Sequence, residues 1–161
     1  MKRGRLALLV LLGFGVCGMC AAEETCPWMN AATAGGLLGG DVTATVNSSD
    51  KSKEDATCDF VHRQGPLVQE LMIEVRTMAA PGKDLANFLV RCEKATPLKA
   101  IGNEAVVCDV SKPGEIVEQV VGRVRERAFV IRATSDDPRA AQTSFREKAI
   151  KAAEQVAGNL F

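Results

Sequence analysis

The sequence predicts an α+β fold, an antiparallel β-sheet of about six strands covered by two or three helices. One observation is the stretch Leu67 to Thr77, where Leu71, Ile73 and Val75 alternate with Met72, Glu74 and Arg76, the period of a half-buried strand. A second is the helical recurrence of Leu85, Phe88, Leu89 and Cys92 at i, i+3, i+4 and i+7. The third is the stripe Phe145, Ala149, Ala152, Ala153, Val156 and Leu160 at the C-terminal end. Polar alternate positions in the strands argue against a doubly wound parallel sheet, whose strands would be continuously apolar.

Taken in order, Asn30 is a fitting N-cap for a short Ala-rich helix that Gly39-Gly40 would stop. Asp41 to Val46 and Ala56 to His62 are β-branched runs suited to strands, joined through a polar loop at 47–55. After Leu67 to Thr77, Pro81-Gly82 breaks the chain and a helix is expected from about Asp84 to Glu93, with Cys92 turned inward at its end. Pro97 to Asn103 reads as a turn, and Ala105 to Val110 as a strand. In Glu115 to Ser135, Val120, Gly122 and Val124 alternate with polar neighbours. A turn near Arg125 to Arg127 follows, and Phe129, Ile131 and Ala133 alternate on the return, giving a hairpin. Asp137 as N-cap and Pro138 at the first helical position are expected to begin the final helix.

The first 22 residues carry a different message. Lys2, Arg3 and Arg5 precede an apolar stretch from Leu6 to Met19, and Cys20-Ala21-Ala22 then offers small side chains before Glu23-Glu24. This is the pattern of a secretory signal cut after Ala22, leaving one domain at 23–161. A permanent span needs about 20 apolar residues, and this run is shorter and diluted by glycines. A lipid-anchored cysteine is the other alternative, but Met19 before Cys20 and Val16 before Cys17 are not the small residues such a signal wants. Cys17-Gly18-Met19-Cys20 is formally a redox spacing, yet it sits inside the export segment with no scaffold to lower a thiol pKa. The expected location is therefore the periplasm or the exterior.

Cleavage would take the basic residues from 20 to 17 against 20 acidic ones, a formal charge of minus three that does not call for nucleic acid. Of six cysteines, Cys26, Cys58, Cys92 and Cys108 remain, and an even number in an exported chain reads as two disulfides. Three pairings are open. Cys26 with Cys58 and Cys92 with Cys108 is favoured, because sequential pairing closes two modest loops that stabilise by roughly 3 kcal/mol each. Zinc is disfavoured, since its ligands come as close pairs and the sole histidine is His62.

A cysteine, an Ala-rich helix ending in Leu37-Leu38-Gly39-Gly40, a second cysteine before a strand, the turn Ile101-Gly102-Asn103-Glu104-Ala105, a hairpin and an Ala-rich final helix together resemble small exported bacterial proteins of unknown function with a PsbP-like sandwich. The likeness covers most of 26–161. It implies that fold and an exported, non-catalytic association role, and it supplies no functional residue. The missing lipoprotein cysteine departs from lipid-anchored members.

Catalytic signatures are not found: His62 stands alone beside Arg63, and no nucleophile elbow, P-loop or dinucleotide fingerprint occurs. An exported enzyme would need a cleft that gathers His62 or a carboxylate pair such as Asp136 and Asp137. One Trp and six Phe, one of them in the leader, give no ladder for stacking bases. Arg123, Arg125 and Arg132, expected on the solvent side of adjacent strands, form a possible patch for an anionic partner, and a solvated sheet face is the plainer explanation. The expectation is a non-catalytic exported module, without cofactor or metal, that binds a protein, envelope component or small ligand. An envelope structural or assembly role is the alternative, an exported enzyme a weaker one.

Overall fold

The computed structural model describes residues 25–161 apart from 50, 51, 91 and 93, so the expected signal at 1–22 and its Cys17 and Cys20 lie outside the described residues. The elements are α1 (Ala31–Leu38), β1 (Thr43–Ser49), β2 (Ser52–Gln64), β3 (Leu67–Thr77), α2 (Pro81–Leu89), β4 (Thr96–Leu98), β5 (Glu104–Asp109), β6 (Ile116–Val124), β7 (Arg127–Ser135) and α3 (Gln142–Leu160). The strands form one antiparallel sheet of seven in the order β1-β2-β3-β7-β6-β5-β4. The fold is thus α+β, with seven strands where about six were expected and three helices.

Two meanders, β1-β2-β3 and β4-β5-β6-β7, meet at the pairing of β3 with β7, which runs from Gln69 opposite Ser135 to Thr77 opposite Arg127. That register puts Leu71, Ile73 and Val75 on the same face as Phe129, Ile131 and Ala133, and all six are buried. α3 closes this inner face with the stripe expected from the sequence, and Trp28, Met29 and α1 complete the core. Small side chains at Ala149, Ala152 and Ala153 let the helix axis lie close to the strands. The two ends of the core are fastened together where Asn159 Nδ2 donates to the Trp28 carbonyl at 2.8 Å.

Local chemistry explains most boundaries. Asn30 caps α1 through its side-chain oxygen, which accepts from the Thr33 amide at 2.8 Å, and Gly39 ends it at φ 97°. Pro81, read in the sequence as a break, instead opens α2 at the first helical position, and Asp84 folds back to accept from the Ala80 amide at 2.8 Å. The helix therefore starts earlier than expected and ends at Leu89, so Cys92 lies beyond it. β4, the seventh strand, falls where a turn was expected. It is three residues long with Pro97 inside, a residue a sheet tolerates only at its edge.

Two further expectations need correcting. Asp137-Pro138 does not begin α3. Asp137 Oδ1 accepts from the Arg139 amide at 2.9 Å and its carbonyl from the Ala140 amide at 3.0 Å, closing a turn four residues ahead of the helix. The polar loop expected at 47–55 is mostly strand, since β1 runs to Ser49 and β2 begins at Ser52.

The disulfides join Cys26 to Cys58 and Cys92 to Cys108, with Cα separations of 5.8 and 5.5 Å. The first ties the chain before α1 to β2 on the inner face. The second ties the segment after α2 to β5 on the opposite face.

Gly122 faces the core directly beneath Phe129, and a Cβ there would run into the ring. Gly122→Ala is expected to cost about 1–3 kcal/mol in urea unfolding through overpacking. Gly36→Ala, in α1 with nothing within 4 Å of the added carbon, should stabilise by about 0.5–1 kcal/mol.

Candidate functional site

The second face of the sheet, here called the outer face, is covered unevenly. α2 lays Leu85, Phe88 and Leu89 over Val121, Ala128, Val130 and Met78, making a small separate core. Beyond α2 the strands present mostly polar and charged side chains, Glu70 and Glu74 from β3, Gln119 from β6, Arg132 and Thr134 from β7, with the apolar Met72 and Val117 among them. Two adjoining hollows result. One of about 290 Å³ is bounded by Glu70, Met72, Lys112, Glu115, Gln119 and Arg132, the other of about 520 Å³ by Glu74, Asn87, Phe88, Val130, Gln119 and Arg132.

Arg132 and Gln119 line both hollows and sit opposite one another in the β6–β7 register. Gln119 is 2% exposed. Its amide oxygen accepts from Arg132 Nε at 2.6 Å, while its nitrogen lies 3.5 Å from Cys92 Sγ of the disulfide. The guanidinium is therefore steered by a buried amide that is itself braced by the sulfur bridge. Among the described residues Arg132 has no further protein partner, which leaves its two Nη groups facing the hollows.

The carboxylates around this point are crowded. Burial, and then the charges of Asp59 and Glu115, push the Glu70 carboxyl above the usual range. Burial does the same to Asp59, on the neighbouring strand β2. Glu74 is occupied at its edge by an ion pair with Arg76 at 3.1 Å.

The three arginines expected to form one patch do not. Arg123 lies on the outer face but is held by Glu104 at 2.7 Å and by the Arg125 carbonyl at 2.9 Å. Arg125 is in the two-residue turn between β6 and β7, at φ 53°, with its amide bound to Asn103 Oδ1. Arg132 is four register positions from Arg123's row, about 13 Å along the strand, with Val121 and Val130 under α2 between them. Of the three, Arg132 is the one that lines the two hollows described above.

Of the titratable residues weighed for catalysis, Asp137 lines a further hollow of about 440 Å³ with Asp109, Lys112 and Glu115, and neither His62 nor Asp136 is part of that lining. His62 Nδ1 lies 2.8 Å from the Asp41 carbonyl, with its ring against Gly40, so it fastens the link between α1 and β1. Asp136 accepts from the Val68 amide at 2.7 Å, and Asp137 closes its own turn. Among the described residues no three His, Cys, Asp or Glu side chains gather as a metal cluster would require.

Gln119 was missed in the sequence because outer positions of the hairpin were read as solvent-facing. The paired apolar residues Val120-Val121 and Phe129-Val130-Ile131 were the available signal, since apolar side chains on both faces of a strand mean both faces are covered. Comparison with known proteins gives no match in family models, curated proteins or solved structures.

A second polar group is structural. Glu118, its side chain 2% exposed on the inner face, meets Arg146 of α3 at 3.2 Å. Burial raises its carboxyl pKa, and Arg146 only partly opposes the shift. A raised folded-state pKa means that the contribution of this group to stability is complete below the ordinary Glu range and is lost as pH climbs through the folded value. Glu118→Gln should therefore gain on the unsubstituted protein in urea melts as pH rises above the ordinary Glu value of about 4.3. Arg146→Ala, which leaves the buried carboxylate without its partner, should cost about 1–3 kcal/mol at neutral pH, since the guanidinium is partly open to water.

Proposed function

We propose that this chain is an exported, non-catalytic binding module, periplasmic or secreted, and that it binds through the uncovered part of its outer sheet face. One observation carries the location of the site: Arg132, held by a buried glutamine and a disulfide, presents free donors to two hollows beside α2. A side chain fixed in this way loses little freedom on binding, which is what preorganised recognition requires. Two disulfides support the exported part, because such bonds persist in oxidising surroundings and are rare in reducing ones. No helix among the described residues is long and apolar enough to cross a membrane.

The PsbP-like kinship belongs to the same proposal. It is supported by an antiparallel sheet with helices on both faces and by the Gly and Cys pattern of the sequence. The partner is an envelope protein, an envelope component or a small ligand, not nucleic acid.

Crosslinking of the native protein in the envelope fraction tests this reading. The same partners should appear with Lys151→Ser, on the exposed back of α3, and disappear with Met72→Glu or Arg132→Ser. Capture that is indifferent to the outer face would overturn the assignment of the site. Self-association by light scattering in place of any partner would favour an assembly role instead.

A further inference from the structure

The charges around Arg132 contain a mismatch that narrows the ligand. In the β3–β7 register Met72 faces Arg132, and Glu70 faces Thr134, so Glu70 and Arg132 are diagonal neighbours. Side chains in that relation are based about 7–8 Å apart. No ion pair joins Arg132 to Glu70. A cation and an anion thus flank the same hollow without neutralising one another.

Each simple ligand class meets an obstacle. A plain anion drawn to Arg132 would approach Glu70 and Glu115, and a plain cation drawn to Glu70 would approach Arg132 and Lys112. A molecule that carries a carboxylate and an ammonium on one carbon meets both requirements at once. Its carboxylate takes the forked Nη donors of Arg132, and its ammonium faces Glu70. Met72 and Val117 line the same hollow and offer apolar contact to a short side chain. The volume of about 290 Å³ lies near the lower end of small-molecule sites, roughly 300–1,000 Å³. Burial first, and then the charges of Asp59 and Glu115, make Glu70 hold its proton more tightly, and a positive group beside it would favour its charged form.

We infer that the hollow between β3, β6 and β7 binds a free α-amino acid, with Arg132 receiving the carboxylate, Glu70 the ammonium, and Gln119 positioning the guanidinium. This rests on the outer face being the binding surface, and it adds the chemical class of the ligand.

Amide NMR titration of the purified protein with both disulfides formed tests it, using alanine and leucine, N-acetylalanine (carboxylate only) and alanine amide (ammonium only). The free amino acids should shift Met72, Gln119 and Arg132 saturably, and each blocked form should bind about tenfold or more weakly. Arg132→Lys keeps the charge but not the fork and should weaken binding by about tenfold to a hundredfold, as should Glu70→Gln, with Lys151→Ser unchanged. If N-acetylalanine binds as well as alanine, or if no probe shifts these amides, the inference is overturned. Silence here beside a face-dependent crosslink removes the ligand class alone, whereas silence together with face-indifferent crosslinking removes the binding surface too.

Discussion

The pairing of β3 with β7 is the constraint from which the rest of the molecule follows. It is the one strand contact between the two meanders, and it fixes which residues of each half share a face. With Gln69 opposite Ser135, the apolar sets of both halves merge into one core under α3. With Met72 opposite Arg132, the outer face acquires a cation from one half beside carboxylates from the other. A slip of one residue would turn every side chain of a meander to the wrong side, exposing Leu71 and Ile73 and burying Glu70 and Glu74. The proposed site and the core are therefore consequences of the same register.

Unequal coverage of the faces decides where recognition can occur. α3 spans 19 residues and, with α1 and the Trp28 segment, leaves little of the inner face open. α2 spans nine residues and roofs only the corner around Val121 and Val130. The edge of that roof supplies a wall, Phe88, to one hollow. A longer α2 would have filled the groove, and no α2 would have left a flat, fully solvated sheet on which Gln119 had no reason to be buried.

How far this could be read from sequence depended on whether a residue's role was local. Leu67 to Thr77 is legible to its ends because both faces of β3 keep a period of two, and α1 is legible because Asn30 and Gly39 act on their own backbone. The disulfide partners followed a rule of short loops. β4 was hidden by Pro97, whose acceptability depends on the strand being at the edge, a fact of tertiary order. Pro81 signals a stop and a start equally in the sequence, and only the packing of Leu85 and Phe88 tells them apart. Arg132 was singled out for its charge together with two other arginines. What distinguishes it from Arg123, whose charge is used by Glu104, is a partner 19 residues away. Gln119 gives no sign in isolation, because the groups it meets, Cys92 and Arg132, are 27 and 13 residues away in the chain.

Each sulfur bridge joins a strand to the stretch of chain leading into its own meander, Cys58 of β2 to Cys26 and Cys108 of β5 to Cys92, at separations of 32 and 16 residues. Oxidative folding can therefore find both native bonds from contiguous stretches of chain, with no need for the distant halves to have met. The order of events this favours is covalent closure of each half first, then docking. The late step has the larger loop entropy to overcome. Within either half the two cysteines can pair only with each other, so every scrambled isomer of these four must join one half to the other and give up both native bonds.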